Sequence, residues 1–143
     1  MTALATDRNT VRAGRHMHDS PGKMGVKAST KVYAGSLVVE DAGVMAPGRT
    51  ATGLTALGVA RNQYDNTSGA ANAITGEYDM GDFWFGNSSA GDAIAAADVG
   101  NTCYIVDDQT VAKTDGTGAR SAAGKVIDVD STLGVLVRIA AGL

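Results

Sequence analysis

Short stretches of alternating apolar and polar residues, separated by glycine and aspartate, run along most of the chain. Residues 26–31 alternate with a period of two, which is typical of a half-buried strand. Residues 36–40 and 44–46 form two apolar runs around Asp41-Ala42-Gly43, an arrangement typical of a hairpin. The pattern therefore predicts short strands joined by tight turns.

The C-terminal third predicts two further pairs of antiparallel strands. Residues 102–106 are rich in β-branched and aromatic residues, which is typical of a strand. After a turn at two aspartates, residues 110–112 predict a short strand that runs back alongside it. Residues 125–129 and 135–139 form the second pair, around a turn at 130–134. Before these strands, residues 94–99 predict one helical turn that ends at glycine.

The side-chain phase changes at Gly81. Before it, Tyr78 and Met80 share one face of a strand, whereas Phe83 and Phe85 fall on the opposite parity after it. A period-2 pattern that shifts by one residue at a glycine indicates a bulge or corner, where a strand passes from one sheet to another.

Residues 54–61 also contain an internal glycine, Gly58, which favours a strand with a bulge over a helix. Because no long amphipathic helix is present anywhere, we expect an all-β fold. The strand lengths are typical of a compact β-barrel or a two-sheet sandwich of about eight to ten short strands.

Composition narrows the class of protein. A chain of 143 residues is long enough for one domain with its own core. It has no apolar run of membrane-spanning length and no secretory signal at its start. The single cysteine, Cys103, excludes an internal disulfide, fits folding in a reducing cytoplasm and predicts a buried structural thiol.

Charge divides the chain into two parts. Residues 1–24 hold four basic and two acidic residues, whereas the remaining 119 hold eight basic and 13 acidic residues. The first part is short of large apolar residues, so it cannot fold by burying its own surface, and Pro21-Gly22 marks its end. We therefore expect an extended N-terminal arm (1–24) on a β-rich body (25–143). The arm is either a disordered terminus or a docking segment that orders on a partner. Its few basic groups make a nucleic-acid tail the weakest alternative.

No residue pattern predicts a catalytic or cofactor site, so we expect neither an enzyme nor a bound cofactor or metal. His16 and His18 would need further metal ligands that the body does not identify. A calcium site is an open but weak alternative because aspartate is the ordinary turn residue. Its ligands would be four aspartates near strand ends: Asp107, Asp108, Asp128 and Asp130.

Trp84 is the one tryptophan, and it points away from the neighbouring phenylalanines in the predicted strand. It is either a partly buried residue of the body or an exposed anchor for subunit contact, because tryptophan is favoured in interfaces.

Several collinear segments resemble the head decoration, or capsid cement, proteins of tailed bacteriophages. Near the C-terminus the order is AADVG, CYIV, DDQTVAKTDGTG, KVIDVD and a closing V-x-V-R-I strand. Upstream, the DRNT segment at residues 7–10 and the K-x-Y-x-G-x-L-V segment at residues 31–38 are similar to the same family. The resemblance covers most of the chain.

The resemblance implies a structural protein that binds the outer surface of the major capsid protein lattice and stabilises the head. It implies a homo-oligomer, most often a trimer, with a dimer as the runner-up. It also implies that the protein lies on the outer surface of the virion and is present in the host cytoplasm during assembly. Neither a nucleic acid nor a membrane is an expected partner. The implied capsid contacts lie in the arm: Arg8, Asn9, Thr10, Val11, Arg12 and Arg15. The alternative is a carbohydrate-type ligand-binding β-module on the phage surface.

Overall fold

The computed structural model describes residues 2–13 and 21–140, and it is nearly all β, as predicted. Two single-turn 3-10 helices lie between the ninth and tenth strands, at Ala90–Asp92 and Ala96–Asp98. The strands, in chain order, are β1 Arg12–Ala13, β2 Gly22–Gly25, β3 Thr30–Val32, β4 Leu37–Asp41, β5 Val44–Pro47, β6 Thr55–Ala60, β7 Tyr64–Asn66, β8 Thr75–Asp79, β9 Gly81–Asn87, β10 Thr102–Ile105, β11 Thr110–Ala112, β12 Ala122–Asp130 and β13 Gly134–Ile139.

Five of these strands close into a small barrel. The order is β9-β11-β10-β12-β13, and β13 pairs back onto β9, so the sheet has no free edge along most of β9. Phe85, Ile105 and Val111 are fully buried inside it. The predicted strand pairs of the C-terminal third are confirmed, and the helical turn before them is present as the second 3-10 helix.

A five-stranded sheet, ordered β2-β8-β6-β4-β5, packs against the barrel. Leu37 and Val39 of β4 face the barrel core, whereas Val38 between them faces a second core. The ribbon formed by β3 and β7 contributes Val32 and Tyr64 to that second core. The body is therefore layered: barrel, sheet and ribbon.

The bulge at Gly58 is confirmed. Val38 pairs with Gly58 and Val39 pairs with Ala56, so one residue of β6 has no partner in β4. Leu57 packs in the second core and Val59 in the barrel core, although residues two apart in a regular strand share a face.

The corner at Gly81 is confirmed as well. The chain leaves the five-stranded sheet at the end of β8 and enters the barrel at the start of β9. Gly81 has a φ of 145°, and the side chains on its two sides pack in different cores, Tyr78 in the second and Phe83 in the first.

The continuous strand predicted over residues 26–31 is wrong, because only its last two residues belong to a strand, β3. Val26 forms only an isolated bridge to Met45, and Ser29 takes a positive φ of 53° in a turn. The backbone of Val26 bonds to Ile74 and Asn72, and the Asn66 side-chain amide donates to the carbonyls of Val26 and Lys27. Contacts with residues distant in sequence therefore override the local alternation.

The boundary between arm and body also differs from the prediction. β2 begins at Gly22 and pairs with β8, so residues 22–24 belong to the five-stranded sheet. The arm is accordingly the part of the chain that precedes β2.

Candidate functional site: the N-terminal arm

Residues 2–13 of the arm lie extended along the body. The Arg8 amide donates to the Ala34 carbonyl at 2.9 Å, and the Ala34 amide donates to Asp7 Oδ1 at 3.2 Å. Further on, β1 pairs with β9, with Arg12 opposite Phe83. For this part of the arm, both the disordered terminus and the segment that orders only on a partner are therefore wrong, because its backbone groups bond to the body without any partner molecule. A docking role for the ordered segment stays a prediction.

The beginning of the arm is fixed by the turn that follows β10. Gln109 Nε2 donates to the Thr2 carbonyl at 2.9 Å, and the Leu4 amide donates to Asp108 Oδ1 at 2.9 Å. The other oxygen of Asp108 accepts from Ser36 Oγ at 3.2 Å. Burial raises the pKa of Asp108, and the hydrogen bonds from Leu4 and Ser36 oppose that shift.

Arg8 points into the body. Its Nη2 donates to the Trp84 carbonyl at 3.3 Å, and its half-buried guanidinium lies near Asp108 and Asp107. Burial lowers its pKa, and these two carboxyls oppose the shift. Its Nη1 is buried without a hydrogen-bond partner in the described part of the chain. In this position Arg8 fastens the arm to the body.

The next residues alternate between the body and the surface. Thr10 Oγ1 donates to the Gly35 carbonyl, and the Val11 carbonyl accepts from the Trp84 amide at 3.3 Å. The Asn9 side chain is exposed, and Val11 is 49% exposed. Within residues 8–11, the exposed positions are therefore Asn9 and Val11.

The remaining candidate contacts are placed differently. Arg12 pairs with Phe83 through its backbone, and Arg15 lies outside the described residues. Trp84 is 9% exposed, which agrees with a body residue rather than an exposed anchor. A role for it in subunit contact stays a prediction.

Gly35 permits the close approach of the arm. It has a φ of 83°, and a Cβ atom at this position would lie 2.0 Å from the Arg8 carbonyl oxygen. Sequence reasoning missed this role, as it missed those of Ser36 and Gln109. The only local signal was a glycine in the segment at residues 31–38, and nothing in that segment points to the arm.

The alternatives for metal chemistry gain no support. Three of the four aspartates bond to nearby backbone amides: Asp107 to Gln109, Asp128 to Val129, and Asp130 to Thr132 and Leu133. Among residues 2–13 and 21–140, no group of three or more potential ligand side chains could hold a metal ion. His16 and His18 lie outside the described residues.

Cys103 is fully buried, with its Sγ 3.6 Å from the Gly124 carbonyl oxygen. Burial raises the pKa of this thiol to about 12, so it is protonated at neutral pH and a poor nucleophile. The prediction of a buried thiol is confirmed.

An apolar groove of about 340 Å³ lies between β6 and the strands β12 and β13. None of the described residues that line it is aromatic, and sugar rings are commonly held against aromatic faces. The groove therefore lends no support to the carbohydrate-binding alternative.

No protein-family model, curated protein or solved structure matches the chain. In the described ranges, no helix is both long and apolar enough to cross a bilayer.

Proposed function

We propose that the protein is a phage head decoration protein, which binds the outer surface of the major capsid protein lattice and stabilises the head. The observation that carries the proposal is the position of the family-like DRNT segment. This segment runs along the body surface, with Arg8 and Thr10 turned inward and Asn9 turned outward. On this proposal, the body holds the recognition face in place and does not leave it on a free tail.

The arm offers a partner two kinds of contact. Asn9 supplies an amide that can donate and accept hydrogen bonds, and Val11 supplies apolar area. In addition, β1 is the terminal strand in the described order of the barrel sheet, so its outer edge can take a strand from the capsid protein. Because residues 2–13 are already ordered on the body, binding costs less conformational entropy than it would for a disordered tail.

One such contact is small, and cement function requires several acting together. A trimer would supply these contacts, with a dimer as the runner-up. Once the first arm of a trimer is bound, its second and third arms bind as intramolecular events. This multiplies the avidity by roughly 10²–10⁴ where the geometry permits. A closed symmetric oligomer also limits further polymerisation. On this proposal the protein resides on the outer surface of the virion, and its role is structural, with no catalytic step.

Co-sedimentation with undecorated heads tests the proposal. The intact protein should pellet with the heads, and Val11→Ser should weaken that binding because it removes apolar area from the outer face of the arm. Leu133→Ser is the matched control, since Leu133 is also 49% exposed but lies in the turn between β12 and β13. If the intact protein stays in the supernatant, or if both variants bind as the parent does, the proposal is contradicted.

A further inference from the structure

A second groove, of about 320 Å³, lies between the start of the arm and the body. Ala3 and Leu4 of the arm form one wall, and Tyr33 and Pro47 belong to the body side. Its shape depends on the seated arm, because the Leu4 amide is held by Asp108.

Three cationic side chains line this groove: Lys27, Lys31 and Arg49. Lys27 Nζ and Arg49 Nη1 each lie 2.8 Å from the same oxygen, Asp41 Oδ2, so the two cationic groups are held side by side. Lys31 Nζ lies 5.2 Å from the centre of the Tyr33 ring. We call this site the basic groove.

The positive charge of the basic groove is only partly neutralised. Asp41 faces two cations at once, and the side chains of Lys27 and Arg49 are still 42% and 45% exposed. Asp41 lies beside the lining, and Asp108, a carboxyl within it, is 3% exposed with its two oxygens already bonded to Leu4 and Ser36. Lys31 lies opposite Asp65 in the ribbon of β3 and β7. The excess positive charge of the groove is therefore centred on Lys27 and Arg49, on a body that carries more acidic than basic residues.

We propose that the basic groove, with Lys27, Lys31 and Arg49, binds an acidic segment of a polypeptide. Two or three carboxylates can pair with cations that are already positioned, and the alkyl stems of acidic side chains can pack on Pro47 and Tyr33. The groove is short, which suits a few side chains of an extended chain.

The same charges suit a nucleic acid less well. A phosphate backbone needs a long basic track, and the excess of acidic residues on the body repels it beyond the groove. Base stacking needs free aromatic faces, whereas the one aromatic ring in the lining, that of Tyr33, lies beneath Lys31.

Calorimetric titration of the isolated protein with a short poly-glutamate peptide tests this inference without any capsid. An oligothymidylate of equal length serves as the comparison ligand. The peptide should bind, and the double variant Lys31→Gln, Arg49→Gln should weaken binding about tenfold or more, the scale for loss of charged hydrogen bonds. Lys125→Gln is the control, because it removes an exposed cation on β12, outside the groove. It should leave the affinity within about twofold of the parent, the scale of one screened surface charge.

The Asp41→Asn variant should change the affinity for the peptide in the opposite direction. It removes the carboxylate that competes for Lys27 and Arg49, so the peptide should bind more tightly at low salt. The inference is overturned if the peptide does not bind, if Lys125→Gln costs as much affinity as the double variant, or if the oligothymidylate binds more tightly than the peptide. Since no head is used, these outcomes are separate from those that test the proposed decoration function.

Discussion

The Arg8 carbonyl oxygen occupies the space that a side chain on Gly35 would need, 2.0 Å from the position of its Cβ atom. The same stretch of arm donates from the Arg8 amide to Ala34, the residue before this glycine. The path of the arm is therefore fixed by the absence of a side chain on the body as much as by the hydrogen bonds that it makes.

We expect Gly35→Ala to lift the arm from the body. The added methyl group collides with the Arg8 carbonyl, so the amides of Arg8 and Trp84 should lose their protection from hydrogen exchange. Gly53→Ala is the matched control, because Gly53 has a similar φ of 75° but nothing within 4 Å of its Cβ position. Both variants carry backbone strain of about 1–2 kcal/mol. Equal protection of the arm in both would show that Gly35 does not control the docking.

Gly81→Val should lower the free energy of unfolding by about 1–3 kcal/mol, the usual cost of strain at a special backbone site. Gly81 has a φ of 145° at the corner between β8 and β9, where a β-branched residue is strained. Denaturant melts measure the change. Melts that superimpose on those of the parent would show that this corner does not require glycine.

Asp41 gives a pH dependence with a definite sign. Hydrogen bonds from Lys27 and Arg49 lower the pKa of its carboxyl, so its contribution is complete above the unfolded value of about 3.9 and disappears as pH falls through the folded pKa. Asp41→Asn should therefore be less stable than the parent at pH 7, by less than about 1 kcal/mol because the pair is partly exposed. The difference should shrink as pH falls through the folded pKa of Asp41. Thermal melts across pH measure it, and a constant difference would exclude this ionic origin.

Cys103 should resist thiol reagents in the native protein, because its Sγ is buried and its thiol has a pKa of about 12. Labelling followed by mass spectrometry should show modification only when denaturant is added. Complete labelling in native buffer at a rate independent of unfolding would place this strand outside the stable barrel.

Local patterns were sufficient to predict several elements of the fold. The parity change from Tyr78 to Phe83 identified the corner at Gly81 because a glycine and two adjacent strands lie within one short window of sequence. The bulge at Gly58 was recognisable for the same reason. Closure of the barrel through β9 and β13 was not predictable, because strand order depends on contacts between residues far apart in sequence.

The candidate site was less accessible to sequence reasoning than the fold. Leu4 bonds to Asp108, 104 residues away, and Arg8 bonds to Trp84, 76 residues away. Nothing near Asp108 distinguishes it from the aspartates that merely cap turns. Composition predicted that the arm has no core of its own, but it could not show that backbone groups of residues 2–13 bond to the body.

Electron cryomicroscopy of undecorated heads mixed with the purified protein tests the central claim most directly. The account predicts trimers on the outer surface of the capsid lattice, with Asn9 and Val11 of each arm against the capsid protein and Arg8 still turned toward Trp84. Heads that remain bare at saturating protein, or subunits bound singly through a face that leaves the arm free, would contradict it.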